Sequence, residues 1–405
     1  MDITYISQRT LPDLLTGSER YIHDLAKYMS KKYSVEIIAT GQSENVGSKL
    51  IYDNICVKTF KESSIGYKTG KITDKIRRLN KQWLLDIYSK PFNGFIHSTS
   101  WGYFSFSMKK YLEKHQIELI HSAAIPTATA WLSWRVSRKM NIPFVFTPFL
   151  HYESIDFKVP WVKSLLRDSS TVIAVTNKEK EALINFGVNA SNIQVIPLGI
   201  DYRIYSKTNL NSFRKLSGFT EDMFVILIPR KAKGKGTYDT LRAIVNLSHK
   251  YNKLGLILLD RTTKEVEPVL SEYLRTLTLN GVKVIDLGYV SGQSLIEAYQ
   301  VSDVVVQPTI VDSFSIIFLE AWACGKPVIA ANYGAIPEII HEGSNGLLVN
   351  YGNFEDIERA IITLINDVNL KTKLGENGRQ DVIKKYSVEN MVQKTEQIYG
   401  SIKNK

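Results

Sequence analysis

Short apolar runs alternate along this chain with stretches whose apolar residues recur every three or four positions. "ITYIS" reads as a strand and "SERYIHDLAKYMSKKY" as a helix, and "VEIIAT" is again a short apolar run. "IELIHS", the helix-like "TATAWLSWRVSRKM", "PFVFTP" and "STVIAVT" continue the series. Beyond "IQVIPLGIDYRIY" a second series opens. It pairs "FVILIP" with "TYDTLRAIVNLSHKY", "LGLILL" with "PVLSEYLRTLTL", and "VKVIDLG" with "SGQSLIEAYQVS", before "DVVVQPT" and "KPVIAA". Apolar strands alternating with amphipathic helices predict α/β domains, each a parallel sheet covered by helices on both faces. Two such doubly wound, Rossmann-like domains are expected, over 1–200 and 208–385. A final amphipathic helix over 386–405 is free to pack on either and to cross back to the N-terminal one. In open parallel sheets, ligands bind beyond the carboxyl ends of the strands, so a cleft between facing domains is the expected site.

A length of 405 residues suits two domains better than one core, and 44% hydrophobic with 22% charged residues describes a folded chain. No run of eighteen apolar residues suggests a membrane span, and "MDITYISQRT" lacks the order of a secretory signal. Cys56 and Cys324 supply neither a disulfide framework nor a metal-ligand spacing. Together these features point to a cytoplasmic location. The formal charge of +11 favours anionic partners without choosing among nucleotides, phosphates and lipid surfaces. Aromatic-basic repeats and a recognition helix are absent, which argues against nucleic acid.

One stretch concentrates the chemistry: "VDSFSIIFLEAWACGKPVIA", Val311 to Ala330. A helix apolar on nearly every side is buried, and a lone buried carboxylate costs several kcal/mol, so Glu320 requires a partner. A helix starting near Ser315 would turn its free first-turn amides toward any phosphate beyond its N-terminus. Glu320 would then lie roughly 7–8 Å along the axis, at about 1.5 Å per residue. Ribose, diphosphate and hexose in a nucleoside diphosphate sugar are laid out to match: carboxylates accept from sugar hydroxyls and amides donate to phosphate. The competing reading is a cap at Asp312 and a core Glu320 paired with a Lys or Arg.

"PTIVDSFSIIFLEAWACGKPVIAANYGAIPEIIHEGSNGLLV" resembles the donor-site signature of the retaining glycosyltransferases of family 4, which have the GT-B fold. Glu320, "ACGKPVIA" and "GAIPEII" match that signature. Asp312 stands where the family has a first Glu, and Ser315 where Gly is common. "IPRKAKGKGTYDTLRAI" resembles the family's Arg, Lys-Gly and following helix, which implies that Arg230 and Lys235 hold the donor diphosphate. "TGSERYIHDLAKYM" resembles a Gly-Gly-x-Glu loop with Gly17 and Glu19 kept and Thr16 in place of the first Gly. "IPFVFTPFLHY" puts His151 where the family has a His beside the donor sugar. "ILLDRTTKEVEP" departs from the pattern, with Asp260 and Arg261 where many members have Gly-x-Gly.

The resemblance therefore implies Arg230, Lys235, His151 and Asp312 as catalytic residues. It implies Glu320, Ser313, Phe314, Ser315, Ile316 and Gly17 as donor-binding residues, with no metal and no cofactor beyond the donor itself. Each has a plainer reading: a solvated basic turn for "RKAKGKG", a structural histidine, a glycine that merely permits a turn. His121 reads as structural. Retention without a convincing protein nucleophile implies attack on the face from which the leaving group departs.

The N-terminal domain is expected to bind a saccharide or lipid-linked acceptor. "KTGKITDKIRRLNKQWLLDIYSK", 68–90, sets Ile72, Ile76, Leu79, Trp83 and Ile87 on one helical face and surrounds them with Lys and Arg. Such a helix either packs on its own domain or lies on an anionic membrane surface, which would make the protein peripheral at the inner face of the cell membrane. Two alternatives stand beside the transferase: a catalytically degenerate sugar-nucleotide-binding scaffold, and another nucleotide-sugar enzyme of similar architecture.

Overall fold

The structure, a computed structural model, describes residues 1–9, 17–41, 49–53, 55–63, 98–99, 102, 104–150, 157, 159–205, 214, 217–260 and 267–403. These form two compact units, Met1–Leu198 with Val388–Lys405, and Gly199–Ser387. The amphipathic segment 68–90, His151 and Arg261 lie outside the described residues.

The first unit is built on an eight-stranded sheet in the order β3-β4-β2-β1-β5-β6-β7-β8. Its strands are β1 (Asp2–Ile6), β2 (Ser34–Gly41), β3 (Lys49–Tyr52), β4 (Ile55–Lys61), β5 (Leu119–Ala123), β6 (Phe144–Thr147), β7 (Thr171–Ala174) and β8 (Ile193–Val195). Seven run parallel; only β3 pairs antiparallel, with β4. The helices are α1 (Gly17–Met29), α2 (Phe106–Lys114), α3 (Ala128–Met140), α4 (Pro160–Asp168) and α5 (Asn177–Asn185). All residues of β5, β6 and β7 are buried, as expected for parallel strands covered on both faces.

The last helix, numbered α12 (Val388–Lys403), belongs to this first unit. Its Tyr399 reaches the sheet, where the hydroxyl donates to Tyr5 Oη at 3.1 Å and pairs with His121 Nδ1. His121 Nε2 lies 3.0 Å from Thr147 Oγ1. Both ring nitrogens are thus engaged in a fully buried site, and burial lowers the histidine pKa to about 3. The ring is neutral and structural.

The second unit carries a six-stranded, all-parallel sheet in the order β11-β10-β9-β12-β13-β14. Its strands are β9 (Phe224–Ile228), β10 (Leu254–Leu259), β11 (Lys283–Gly288), β12 (Val304–Gln307), β13 (Val328–Ala331) and β14 (Leu347–Val349). The helices are α6 (Thr237–Ser248), α7 (Glu267–Leu279), α8 (Gln293–Val301), α9 (Ile316–Ala323), α10 (Phe354–Asn366) and α11 (Val368–Lys384). From β9 the chain winds outward through β10 to β11, then returns to the other side of β9 as β12. The strand order reverses there. Loops leaving β9 and β12 diverge at such a point, and ligands of doubly wound sheets bind in the crevice between them.

Candidate donor site

The two loops at that reversal carry most of the residues singled out in the sequence. The first, Arg230 to Gly236, ends in a 3₁₀ turn, Lys233–Lys235, before α6. Gly236 has φ 71°, and a Cβ there would lie 2.6 Å from the Pro308 carbonyl oxygen, so only glycine fits against the second loop. The loops are also bonded directly: Ile310 N–H donates to Gly234 O at 3.1 Å. This contact brings Lys235 beside Asp312, with Lys235 Nζ donating to Asp312 Oδ1. Gln307 Nε2 donates to the other carboxylate oxygen at 3.3 Å. Burial acts to raise the Asp312 pKa, but the Lys235 charge and hydrogen bonds outweigh it and hold the carboxyl below its ordinary range.

After Asp312, Ser313 and Phe314 are buried, and the Phe314 ring packs edge-on against Tyr386 at 5.8 Å. Ser315 caps α9 with φ 69° and ψ 91°, and Ile316 is the first helical residue. The start expected near Ser315 is therefore where the helix begins. A positive φ explains the glycine common at this position: serine adopts a backbone that glycine takes without strain. Asp260 repeats the theme. It holds φ 79° after β10, keeping a glycine-type turn where the family has Gly-x-Gly, and its carboxylate pairs with Arg230 Nε at 3.0 Å. Arg230 remains half exposed.

Glu320 lies in α9 and is 4% exposed. Two tyrosines are among its partners. Tyr205 donates to Oε1 at 2.9 Å and Tyr299 to Oε2 at 2.8 Å. Behind them α9 is braced by α11: a Cβ on Gly378 would meet Trp322 Cδ1 at 2.1 Å, and one on Gly375 the Gly325 carbonyl oxygen at 2.0 Å. Trp322 Nε1 donates to Asn345 O at 2.8 Å. The helix has no room to slide.

Lys235 and the run Asp312, Ser313, Phe314, Ser315 and Ile316 thus lie together in the second unit. Arg230 stands at the far end of the first loop and Glu320 one turn inside α9. Gly17, the exposed first residue of α1, belongs to the other unit, and a Cβ there would meet nothing within 4 Å. Four residues escaped the sequence reading: Tyr205, Tyr299, and the pair of buried Lys231 with exposed Asp286, with Nζ to carboxylate distances of 2.7 and 2.8 Å. An apolar strand followed by two lysines flags a basic loop, but nothing local says which lysine turns inward. Among the described residues, no group of three or more His, Cys, Asp or Glu is arranged to hold a metal ion.

Comparison with known proteins places this arrangement. The family described as Glycosyltransferase Family 4 matches residues 15–203, and that described as Glycosyl transferases group 1 matches residues 210–381. An uncharacterized glycosyltransferase of Methanocaldococcus jannaschii is 28% identical over 241 residues, 57% of this chain and 60% of that one. The N-acetyl-alpha-D-glucosaminyl L-malate synthase of Bacillus anthracis is 26% identical over 284 residues, 64% of this chain and 73% of its own. The match thus spans between three fifths and three quarters of these relatives' length. Anabaena HepE, solved in complex with UDP-glucose, is similar in structure at a TM-score of 0.75 and 18% identity, covering 99% of this chain and 100% of HepE. With each half matched by a family of its own and both sheets built on the doubly wound plan, the chain belongs to the group 1, family 4 glycosyltransferases of GT-B fold.

Proposed function

We propose that the protein transfers a hexose from a nucleoside diphosphate sugar to a hydroxyl acceptor, with retention of configuration and without a metal ion. The observation that carries this reading is the packing of Lys235 and Asp312 at the start of α9, where a cation, the helix amides and a carboxylate converge at the strand-order reversal. Similarity to HepE, solved with UDP-glucose, supports the donor class. On this reading the first-turn amides of α9 and Lys235 bind the diphosphate, with Arg230 beside it. Glu320 accepts from ribose hydroxyls and Asp312 meets the hexose.

As the bond between the anomeric carbon and the phosphate oxygen breaks, negative charge gathers on the leaving diphosphate. The fixed cations Lys235 and Arg230 stabilise that charge more than they stabilise the ground state. The acceptor oxygen bonds to the anomeric carbon on the face the diphosphate leaves, and the acceptor proton passes to the departing phosphate oxygen. Side-chain cations fill the role a divalent ion has elsewhere. His151 beside the sugar is part of the same reading. So is a saccharide or lipid-linked acceptor, taken at an anionic cytoplasmic membrane surface through 68–90. No described helix is long and apolar enough to cross a membrane.

The test is a thermal-shift and transfer panel of UDP-, GDP- and ADP-hexoses, with and without EDTA. A donor present at 100 times its Kd should stabilise the protein by about 2.7 kcal/mol. One donor family should stand out and its turnover should survive EDTA. Failure of every nucleotide to stabilise the protein contradicts the donor assignment, and absolute dependence on added Mn²⁺ contradicts the metal-free step.

A further inference from the structure

The outer faces of α2 and α3 carry the same order of side chains. Exposed on α2 are Phe106, Lys110 and Lys114, at steps of four. On α3 the half-buried Trp131 is followed by exposed Arg135 and Arg138, at steps of four and three. Residues so spaced share one face of a helix, so each helix presents an aromatic ring and then two cations. The two stripes are in register. At one end the buried Phe104 ring lies 4.9 Å from Phe106 and 6.2 Å from Trp131. At the other, Lys139 Nζ of α3 donates to the Glu113 carboxylate of α2 at 2.9 Å. The helices therefore run side by side in the same direction and make a broad face.

Charge on this face is one-sided. The two helices hold six Lys and Arg and a single carboxylate, Glu113. Glu113 is shared by Lys109 and Lys139, and Arg138 pairs with Asp168 at 3.0 Å. Among the described residues Lys110, Lys114 and Arg135 form no ion pair, so the fold does not neutralise them. Phe106 is 52% exposed, at the end from which α3 leaves β5. That end lies at the carboxyl edge of the sheet, where open parallel sheets bind their ligands.

A bilayer with anionic head groups matches both parts of the face. Lipid phosphates meet the cations, and the rings enter the head-group layer, as aromatic side chains do at membrane interfaces. A nucleic-acid strand stacks successive bases along its track and would call for rings interleaved with the cations. Here both rings stand at one end.

We propose that the α2–α3 face of the first unit docks on an anionic membrane surface, with Phe106 and Trp131 seated among the head groups. This face is separate from segment 68–90, and the inference rests on neither that segment nor the donor site.

The experiment is sedimentation of the full chain with vesicles of phosphatidylcholine alone, and of phosphatidylcholine mixed with an equal part of phosphatidylglycerol. Wild type is compared with Lys110→Glu/Arg135→Glu, Phe106→Ser and Arg77→Glu/Arg78→Glu, each checked for folding by circular dichroism. Wild type should bind the anionic vesicles alone, and less tightly as salt rises. Lys110→Glu/Arg135→Glu should lose at least about tenfold in affinity. Phe106→Ser should lose about threefold through the ring alone. A wild type that ignores anionic vesicles overturns the proposal. So does a folded Lys110→Glu/Arg135→Glu protein that binds as wild type does, and binding lost only in Arg77→Glu/Arg78→Glu would then place the contact in 68–90. Tighter binding of homopolymeric RNA than of vesicles, abolished by the same substitutions, overturns it in favour of nucleic acid.

Discussion

Glu179 in the first unit and Glu320 in the second are both buried, and the two are held differently. In the first unit Glu179 accepts from backbone amides, Leu150 N–H at 2.7 Å and Val175 N–H at 2.6 Å. Its own amide donates to Thr176 Oγ1 at 3.2 Å, completing the N-terminal cap of α5. In the second unit Glu320 accepts from two side-chain hydroxyls. Bonds to backbone tie together the chain segments that make them and serve the fold. Bonds from Tyr205 and Tyr299 fix the Glu320 carboxylate in place between two elements. Burial raises the Glu179 pKa to about 7 despite its two amides, so its charge is a cost that the fold bears.

The largest effect expected is on the catalytic side of that contrast. Lys235→Ala should lower kcat by about 10²–10³, or about 2.7–4 kcal/mol, with the fold kept, measured by steady-state transfer. A rise in KM with kcat unchanged would show that Lys235 binds the ground and transition states equally.

The next prediction concerns pH. Because folding raises the Glu179 pKa, the folded state binds the extra proton between about 4.5 and 7. Stability from this group is then full below 4.5 and is lost as pH rises through 7. His121 has the opposite sign: its contribution is present above 6.5 and is lost as pH falls toward 3. The two oppose each other in the overlap, so the difference between proteins is the quantity to follow. Urea midpoints of wild type relative to Glu179→Gln should fall by the equivalent of a few kcal/mol between pH 4.5 and 7, on the order of 1.4 kcal/mol per pKa unit. A flat difference would mean that Glu179 stays charged.

Gly378→Ala forces a methyl into Trp322 and should destabilise the second unit by about 1–3 kcal/mol, read by urea denaturation. Donor affinity should drop with it, since α9 carries the proposed donor site. The smallest expected effect is a gain. Ser315→Gly relieves a positive φ that costs a non-glycine residue about 1–3 kcal/mol, less the entropy of an added glycine, and should stabilise by about 1 kcal/mol.

Much of the second unit was legible in the sequence because its signals are local. The apolar strands, the helix start at Ser315 and the glycines of "RKAKGKG" are all read within a few residues. The partners of Glu320 were not, since Tyr205 and Tyr299 lie 115 and 21 residues away and a tyrosine leaves no charge pattern to follow. Burial demanded a partner; only folding named it. Glu179 was missed although its signal was present: Thr176 followed three residues later by Glu179 is a capping box. The antiparallel edge strand β3 was missed too, because four residues, "KLIY", are too short for a periodicity to emerge.

The most direct measurement is a crystal structure of the protein with its nucleoside diphosphate sugar bound. The account predicts diphosphate oxygens on the first-turn amides of α9 and on Lys235, and ribose hydroxyls on Glu320 with both tyrosine bonds intact. A donor seated elsewhere, with Glu320 bonded to the tyrosines alone, would contradict it.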